Sequence, residues 1–227
     1  MVPGYKQHGI RIPLVIGAAL AFTLGGCATQ EPAASWDGLE LRSDSRLDAV
    51  YVQPGAQFKA YKSVMIDPLE VSFAKDWDPN QDVRSVSRHL DQQDIQAIRD
   101  GLAELFREEF QKELGKGGYS VVTTPGPDTL RMTPAIVDLY INAPDRMEPG
   151  RVTTYTTDAG RMSLVAEFRD SVTGDILARA VDRKQSRDTG FMQVTNRVTN
   201  TAEARRAIDV WAKALRDALD ELNGKTG

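Results

Sequence analysis

Few residues in this chain are suited to chemistry, and their spacing limits what each could do. Asp138, Glu167, Asp170 and Asp175 lie on or near expected strands, where a pair of carboxylates could serve as the acid and base of glycoside hydrolysis. No spacing selects two of the four. Glu167, Arg169, Asp170, Arg179, Asp182 and Arg183 read more simply as cross-strand ion pairs on the outer face of a sheet, each contributing under about 1 kcal/mol. Asp76-Trp77-Asp78-Pro79-Asn80-Gln81-Asp82 sets oxygens at alternate positions, as a calcium loop begins. Gln81 stands where such a loop needs Gly and Ser87 where it needs Glu, so a solvated Asx turn is expected. Gly115-Lys116-Gly117-Gly118 follows a helix instead of opening one, which suits a helix C-cap and not a phosphate cradle. His89 precedes a helix, and no nucleophile elbow accompanies it. The expected catalytic, metal and cofactor sets are therefore empty, and the chain reads as a non-enzyme.

The remaining reactive group is the thiol of Cys27, the only cysteine among 227 residues. It ends an N-terminal stretch that carries Lys6, Arg11 and no acid, then the apolar run Ile12 to Leu24, then Gly25-Gly26. That order is a basic region, an apolar region and a small-residue cleavage site, and the run is shorter than the ~20 residues a spanning helix needs. Leu24-Gly25-Gly26-Cys27 resembles the lipobox of bacterial lipoproteins. The resemblance implies a diacylglyceryl thioether on Cys27 and cleavage between Gly26 and Cys27. One acyl chain anchors only marginally and two or three make release slow. Ala28 resembles the outer-membrane sorting type, Asp there being the enterobacterial type retained in the inner membrane. Cleavage would leave 201 residues with 26 basic against 32 acidic groups, a net charge of −6. Such acidity disfavours a nucleic-acid partner, whose phosphates call for Lys and Arg.

Behind the signal peptide at 1–26, residues 27–49 are small, polar and charged, and are expected to be the lipidated N-terminus and a flexible tether. Residues 50–223 have the size of one domain and 224–227 form a tail. Asp91 is an expected N-cap, and Ile95, Ile98, Leu102, Leu105, Phe106, Phe110 and Leu114 follow at helical steps until Gly115. A second helix is expected from Asn200, with Glu203 completing a capping box and Ala204, Ile208, Trp211, Leu215, Leu219 and Leu222 forming its apolar stripe. Strand patterns cover Val64 to Phe73 on either side of Pro68, Tyr119 to Thr123, Leu130 to Ile141 with a break at Pro134, Met162 to Phe168, and Ile176 to Val181. The last two form a hairpin through Gly174, and its register stays open because Ile176 and Leu177 are both apolar. The order implies an α+β two-layer sandwich, a mainly antiparallel or mixed sheet with both helices packed on one face.

Tyr51-Val52-Gln53-Pro54-Gly55, Val64-Met65-Ile66-Asp67-Pro68, Ala135-Ile136-Val137-Asp138-Leu139, Leu164 to Ser171 and Trp211 to Arg216 together resemble a proteobacterial lipoprotein family known only as a domain of unknown function. The resemblance implies an envelope lipoprotein and carries over no catalytic residue. The function expected is a lipid-anchored, periplasm-facing binding or scaffolding module of the outer membrane, whose partners are the membrane through Cys27 and an envelope protein or glycan. The alternative is an envelope hydrolase using paired carboxylates. Candidate partner-binding loops are the hydroxyl-rich segment with Thr153, Thr154 and Tyr155, and the mixed segment with Phe191, Met192 and Arg197.

Overall fold

A computed structural model describes residues 32–43, 45–56, 61–80, 89–141, 154–156, 160–185, 193–195 and 197–225. In chain order the elements are β1 (Ser35–Trp36), β2 (Leu39–Arg42), β3 (Ala49–Val52), β4 (Ser63–Ile66), β5 (Glu70–Phe73), α1 (Gln92–Lys116), β6 (Ser120–Val122), β7 (Thr129–Tyr140), β8 (Thr154–Thr156), β9 (Arg161–Asp170), β10 (Ile176–Gln185), β11 (Gln193–Thr195) and α2 (Arg197–Leu222). The main sheet runs β1-β2-β3-β10-β9-β7-β4-β6, with β5 also beside β7. β4 runs parallel to β6 and β7, β5 runs parallel to β7, and the other pairs are antiparallel. The α+β class with a mixed sheet and two helices is as the sequence implied.

α1 begins where Asp91 accepts from the backbone N–H groups of Gln93 and Asp94 at 2.8 and 2.9 Å, while Asp94 accepts from the Asp91 N–H at 3.0 Å. Two orphan donors of the first turn are thereby satisfied. The helix runs through Gly115 to Lys116, and Gly117 caps it. Its buried stripe of Leu102, Leu105, Phe106, Phe110 and Leu114 meets Ile208, Trp211 and Leu219 of α2, and both meet Val64, Leu130, Met132, Ile136, Leu164, Ala166 and Phe168 of the sheet in one core. Trp211, at 2% exposure, sits in that core as the stripe implied. α2 starts at Arg197, so Asn200 lies inside the helix and is not its cap. β11 ends at Thr195, and a cap preference of about 1 kcal/mol does not override a start set by strand pairing.

Three further departures from the sequence reading have local causes. Residues 35–42 of the expected tether are strands, and Leu39 is fully buried. Asp37-Gly38 forms a two-residue hairpin loop with φ of 50° and 83°, the left-handed pair of a type I′ turn, and Trp36 pairs with Leu39 across it. The folded unit accordingly extends back to Pro32. β7 passes through Pro134 without interruption. The Met132 carbonyl accepts from Asp67 N–H on the β4 side, so Pro134, two residues on, turns its ring nitrogen to the same edge. There β4 has ended and β5 has not begun, so no ladder bond is lost. The β9–β10 register is set by a bulge: Ile176 pairs with Arg169 and Ala178 with Phe168, leaving Leu177 unpaired in that ladder. The Leu177 carbonyl instead accepts from Gln53 N–H at 2.7 Å.

Candidate functional site

The carboxylates that a hydrolase reading would use lie along β7, β9 and the turn that follows β9, and each meets a structural demand. Burial raises the Glu167 carboxyl, but hydrogen bonds from Arg179 and Arg169 outweigh it and hold the group below its ordinary value. Arg179 Nε donates to Glu167 at 2.9 Å and Arg169 Nε donates at 2.6 Å. Asp170 Oδ1 accepts from the Thr173 and Val172 N–H groups at 2.8 and 2.9 Å, and Oδ2 from the Tyr61 hydroxyl at 2.8 Å. The Thr173 N–H and the Tyr61 hydroxyl thus hold the Asp170 carboxyl low, while burial and this bond push the Tyr61 phenol up. Asp175 accepts from the Thr173 hydroxyl at 2.8 Å within the same turn, where Gly174 has φ 77°. Asp138 is exposed at φ 53°, the left-handed residue of a bulge where Val137 pairs with Ser163 and Tyr140 with Arg161.

Asp182 departs from the expected outer-face ion pairing. It is 1% exposed on the helix side of β10, where Oδ2 accepts from Trp211 Nε1 at 2.6 Å and from Lys184 Nζ at 2.6 Å, and Oδ1 from Asp48 N–H at 3.1 Å. Ala178 and Ala180 precede it on that face and leave room for the indole, so the tryptophan's polar edge finds its partner inside the core. Arg183, facing outward, donates its backbone N–H to Asp48 at 2.8 Å. The outer face does carry the Glu167, Arg169 and Arg179 pairs. Arg179 also reaches Asp37 at 2.6 Å and lies 4.6 Å over the Trp36 ring, which meets Tyr51 edge-on at 5.6 Å. Reading 35–42 as tether hid this cluster, although the Asp37-Gly38 turn between Trp36 and Leu39 was its signal.

The segment that resembles the start of a calcium loop also has structural partners. Asp78 accepts from the Asn80 N–H at 2.9 Å in an Asx turn, Asn80 brackets the Leu90 backbone, and Asp76 pairs with Arg161 at 2.6 Å. Among the described residues no group of three His, Cys, Asp or Glu is placed to hold a metal ion. Gly117 and Gly118 form the helix cap and turn, Gly118 at φ 76°. His89 is exposed two residues before Asp91. Of the candidate partner loops, Thr154 and Tyr155 are on β8, which pairs antiparallel with β11, and Arg197 opens α2. Two segments far apart in sequence therefore meet in one ribbon. Thr153, Phe191 and Met192 lie outside the described residues, as do Gly26 and Cys27. No helix among the described residues is long and apolar enough to cross a membrane.

A mixed sheet carrying two helices on one face, with its ionisable groups tied into packing and turns, defines an α+β module. The chain belongs to the family described as "Protein of unknown function (DUF3313)", whose sequence model matches residues 29–215. No curated protein shows significant sequence similarity to it. Among solved structures it is similar to the PelC dodecamer from Paraburkholderia phytofirmans, at 8% identity and TM-score 0.38 over 74% of this chain and 96% of that one. It is similar to protein XCC0632 from Xanthomonas campestris, at 10% identity and TM-score 0.42 over 76% and 93%. A minor lipoprotein from Acinetobacter baumannii shows 11% identity and TM-score 0.33 over 71% and 92%.

Proposed function

We propose that this chain is a lipid-anchored envelope lipoprotein acting as a non-enzymatic binding or scaffolding module, held in the outer membrane through Cys27 and facing the periplasm. One observation carries the choice of a module over a hydrolase. Glu167 is locked between two arginines, and Asp170 and Asp175 build a hairpin turn. A general acid needs a carboxyl whose pKa is raised toward the working pH, whereas Glu167 and Asp170 are both held low. The anchor reading is supported by the single thiol at the end of the only apolar leader and by Ala28 after it.

The partner is an envelope protein or glycan, and the ribbon of β8 and β11 is the surface that engages it. Its support is the pairing of Thr154–Thr156 with Gln193–Thr195, which brings the hydroxyl-rich segment and the mixed charged and apolar segment together in one ribbon. Photo-crosslinkers placed at Tyr155 and at Met192 in cells should capture the same envelope species, and replacing Thr153, Thr154 and Tyr155 together by Ala should abolish its capture from Met192. Unchanged capture removes the ribbon as the surface. Turnover of an envelope glycan by the purified protein, lost in Glu167→Gln, would establish the hydrolase instead. For the anchor, Cys27→Ala should accumulate a precursor longer by the leader, and membrane fractions of the parent should sediment with outer-membrane markers.

A further inference from the structure

The fold places the start of the sheet much closer to Cys27 than composition suggests. Ala34 already accepts from the Leu41 N–H at 3.1 Å, and Ser35 opens β1. Seven peptide steps separate Cys27 from Ala34, which fully extended cover about 25 Å and as a flexible chain average about 15 Å. The strand nearest the anchor is β1, at one end of the sheet, and β6 closes the other. Seven interstrand spacings divide them, about 34 Å at 4.8 Å each, so β6 lies farther from β1 than the leash can reach.

The residue at the near edge suits a lipid surface. Trp36 is half-buried, with one side of its ring covered by the Arg179 guanidinium and its edge against Tyr51. Among the described residues no acceptor takes its indole N–H. A tryptophan with an apolar body and an open N–H is the side chain enriched at headgroup level, where one end is apolar and the other wet.

We propose that the β1–β2 edge, led by Trp36, docks on the lipid headgroups of the membrane that holds Cys27, standing the sheet on that edge with β4 and β6 directed away from the bilayer. The proposal rests on the lipid anchor. Because the Cys27 thiol is consumed by the thioether, a cysteine introduced elsewhere is the unique labelling site. The full lipidated chain carrying Glu40→Cys or Ser120→Cys, both at exposed positions on β2 and β6, is labelled with a fluorophore. It is then reconstituted in phosphatidylglycerol-containing vesicles with a headgroup quencher. Quenching should be several-fold stronger at position 40 than at 120, and should fall at position 40 when 20 Gly/Ser residues are inserted after Thr29. Adding Trp36→Ala should weaken the quenching at 40 while the circular dichroism spectrum stays that of the parent. Equal quenching at the two positions, in protein whose mass shows the acyl chains, overturns the docking and leaves the anchor standing. A mature mass without acyl chains overturns the anchor and the docking with it.

Discussion

Trp211 and Asp182 show how one buried polar contact constrains a core. The indole N–H and the Lys184 ammonium both donate to Asp182 Oδ2, and Asp48 N–H donates to Oδ1, so the carboxylate is fully used although it is 1% exposed. Trp211→Ala removes the largest buried side chain and should cost about 3–5 kcal/mol. Asp182→Ala leaves buried donors unpaired and should cost about 1–3 kcal/mol. Denaturant titrations of both variants and of the double variant read the coupling, which should be sub-additive because the two side chains share one bond. Gly117 is a separate case. A Cβ there would lie 2.8 Å from the Tyr119 ring and 2.9 Å from Arg216 Cγ. Tyr119 is held by its hydroxyl bond to Asp220 at 3.0 Å, and burial and that carboxylate push its phenol to about 12. Gly117→Ala should therefore lose about 1–3 kcal/mol through overpacking, measured by the midpoint in urea. Gly101→Ala, where a Cβ meets open space inside α1, should gain stability.

At the scale of elements, the seam between α1 and α2 is ionic along one side. Glu109 and Glu113, 1% and 3% exposed on α1, face Arg205 and Arg216 of α2 and are also bonded by Lys112 and Lys116 of their own helix. Asp209 joins Lys112 at 3.6 Å, and Asp217 and Asp220 share Arg216. Hydrogen bonds from Lys112 and Lys116 lead, burial opposes them, and Arg205 and Arg216 add to hold both glutamates below their ordinary value near 4.5. A carboxyl whose folded pKa is depressed contributes stability that is full above the unfolded value and is lost as pH falls through the folded one. The melting temperature should therefore hold from neutrality to about pH 5 and decline below about 4.5. The variant carrying Glu109→Gln and Glu113→Gln should be less stable at pH 7, because its cations lose their partners, and should show a shallower acid decline. An unchanged decline would move the acid sensitivity elsewhere.

For the whole molecule, the decisive boundary is the N-terminal one. If residues 27–49 were all tether, a chain beginning at Val50 would fold as well as a longer one. In the structure Leu39, Ala49 and Tyr51 form a small core on the sheet face opposite the helices, with Trp36, Leu41, Ile176 and Val181 packed against it. A soluble form starting at Pro32 should melt cooperatively, whereas one starting at Val50 should lose that core, expose the β3 edge and aggregate or melt far lower. Leu39→Ala in the longer form should cost about 2–5 kcal/mol, a loss no tether residue could cause.

Periodicity was enough to find both helices, the face each buries and the long antiparallel strands, because side chains recur at 3.6 or 2 residues wherever one face is wet and the other dry. Cys27 is proposed as the anchor from chemical type and position alone, since a lone thiol after a short apolar leader is a pattern that needs no fold. Other features depended on neighbours distant in the chain. Pro134 is tolerated because β4 and β5 leave a gap beside it, Leu177 bulges because Gln53 needs its carbonyl, and Asp182 turns inward because Trp211 needs an acceptor. The charge-rich stretch before Ala49 folds because Asp37-Gly38 reverses the chain and lays Leu39 on a surface supplied by Tyr51, Ile176 and Val181. Local pattern records what a segment prefers, and only the tertiary structure supplies the partner that makes the preference pay its entropic cost.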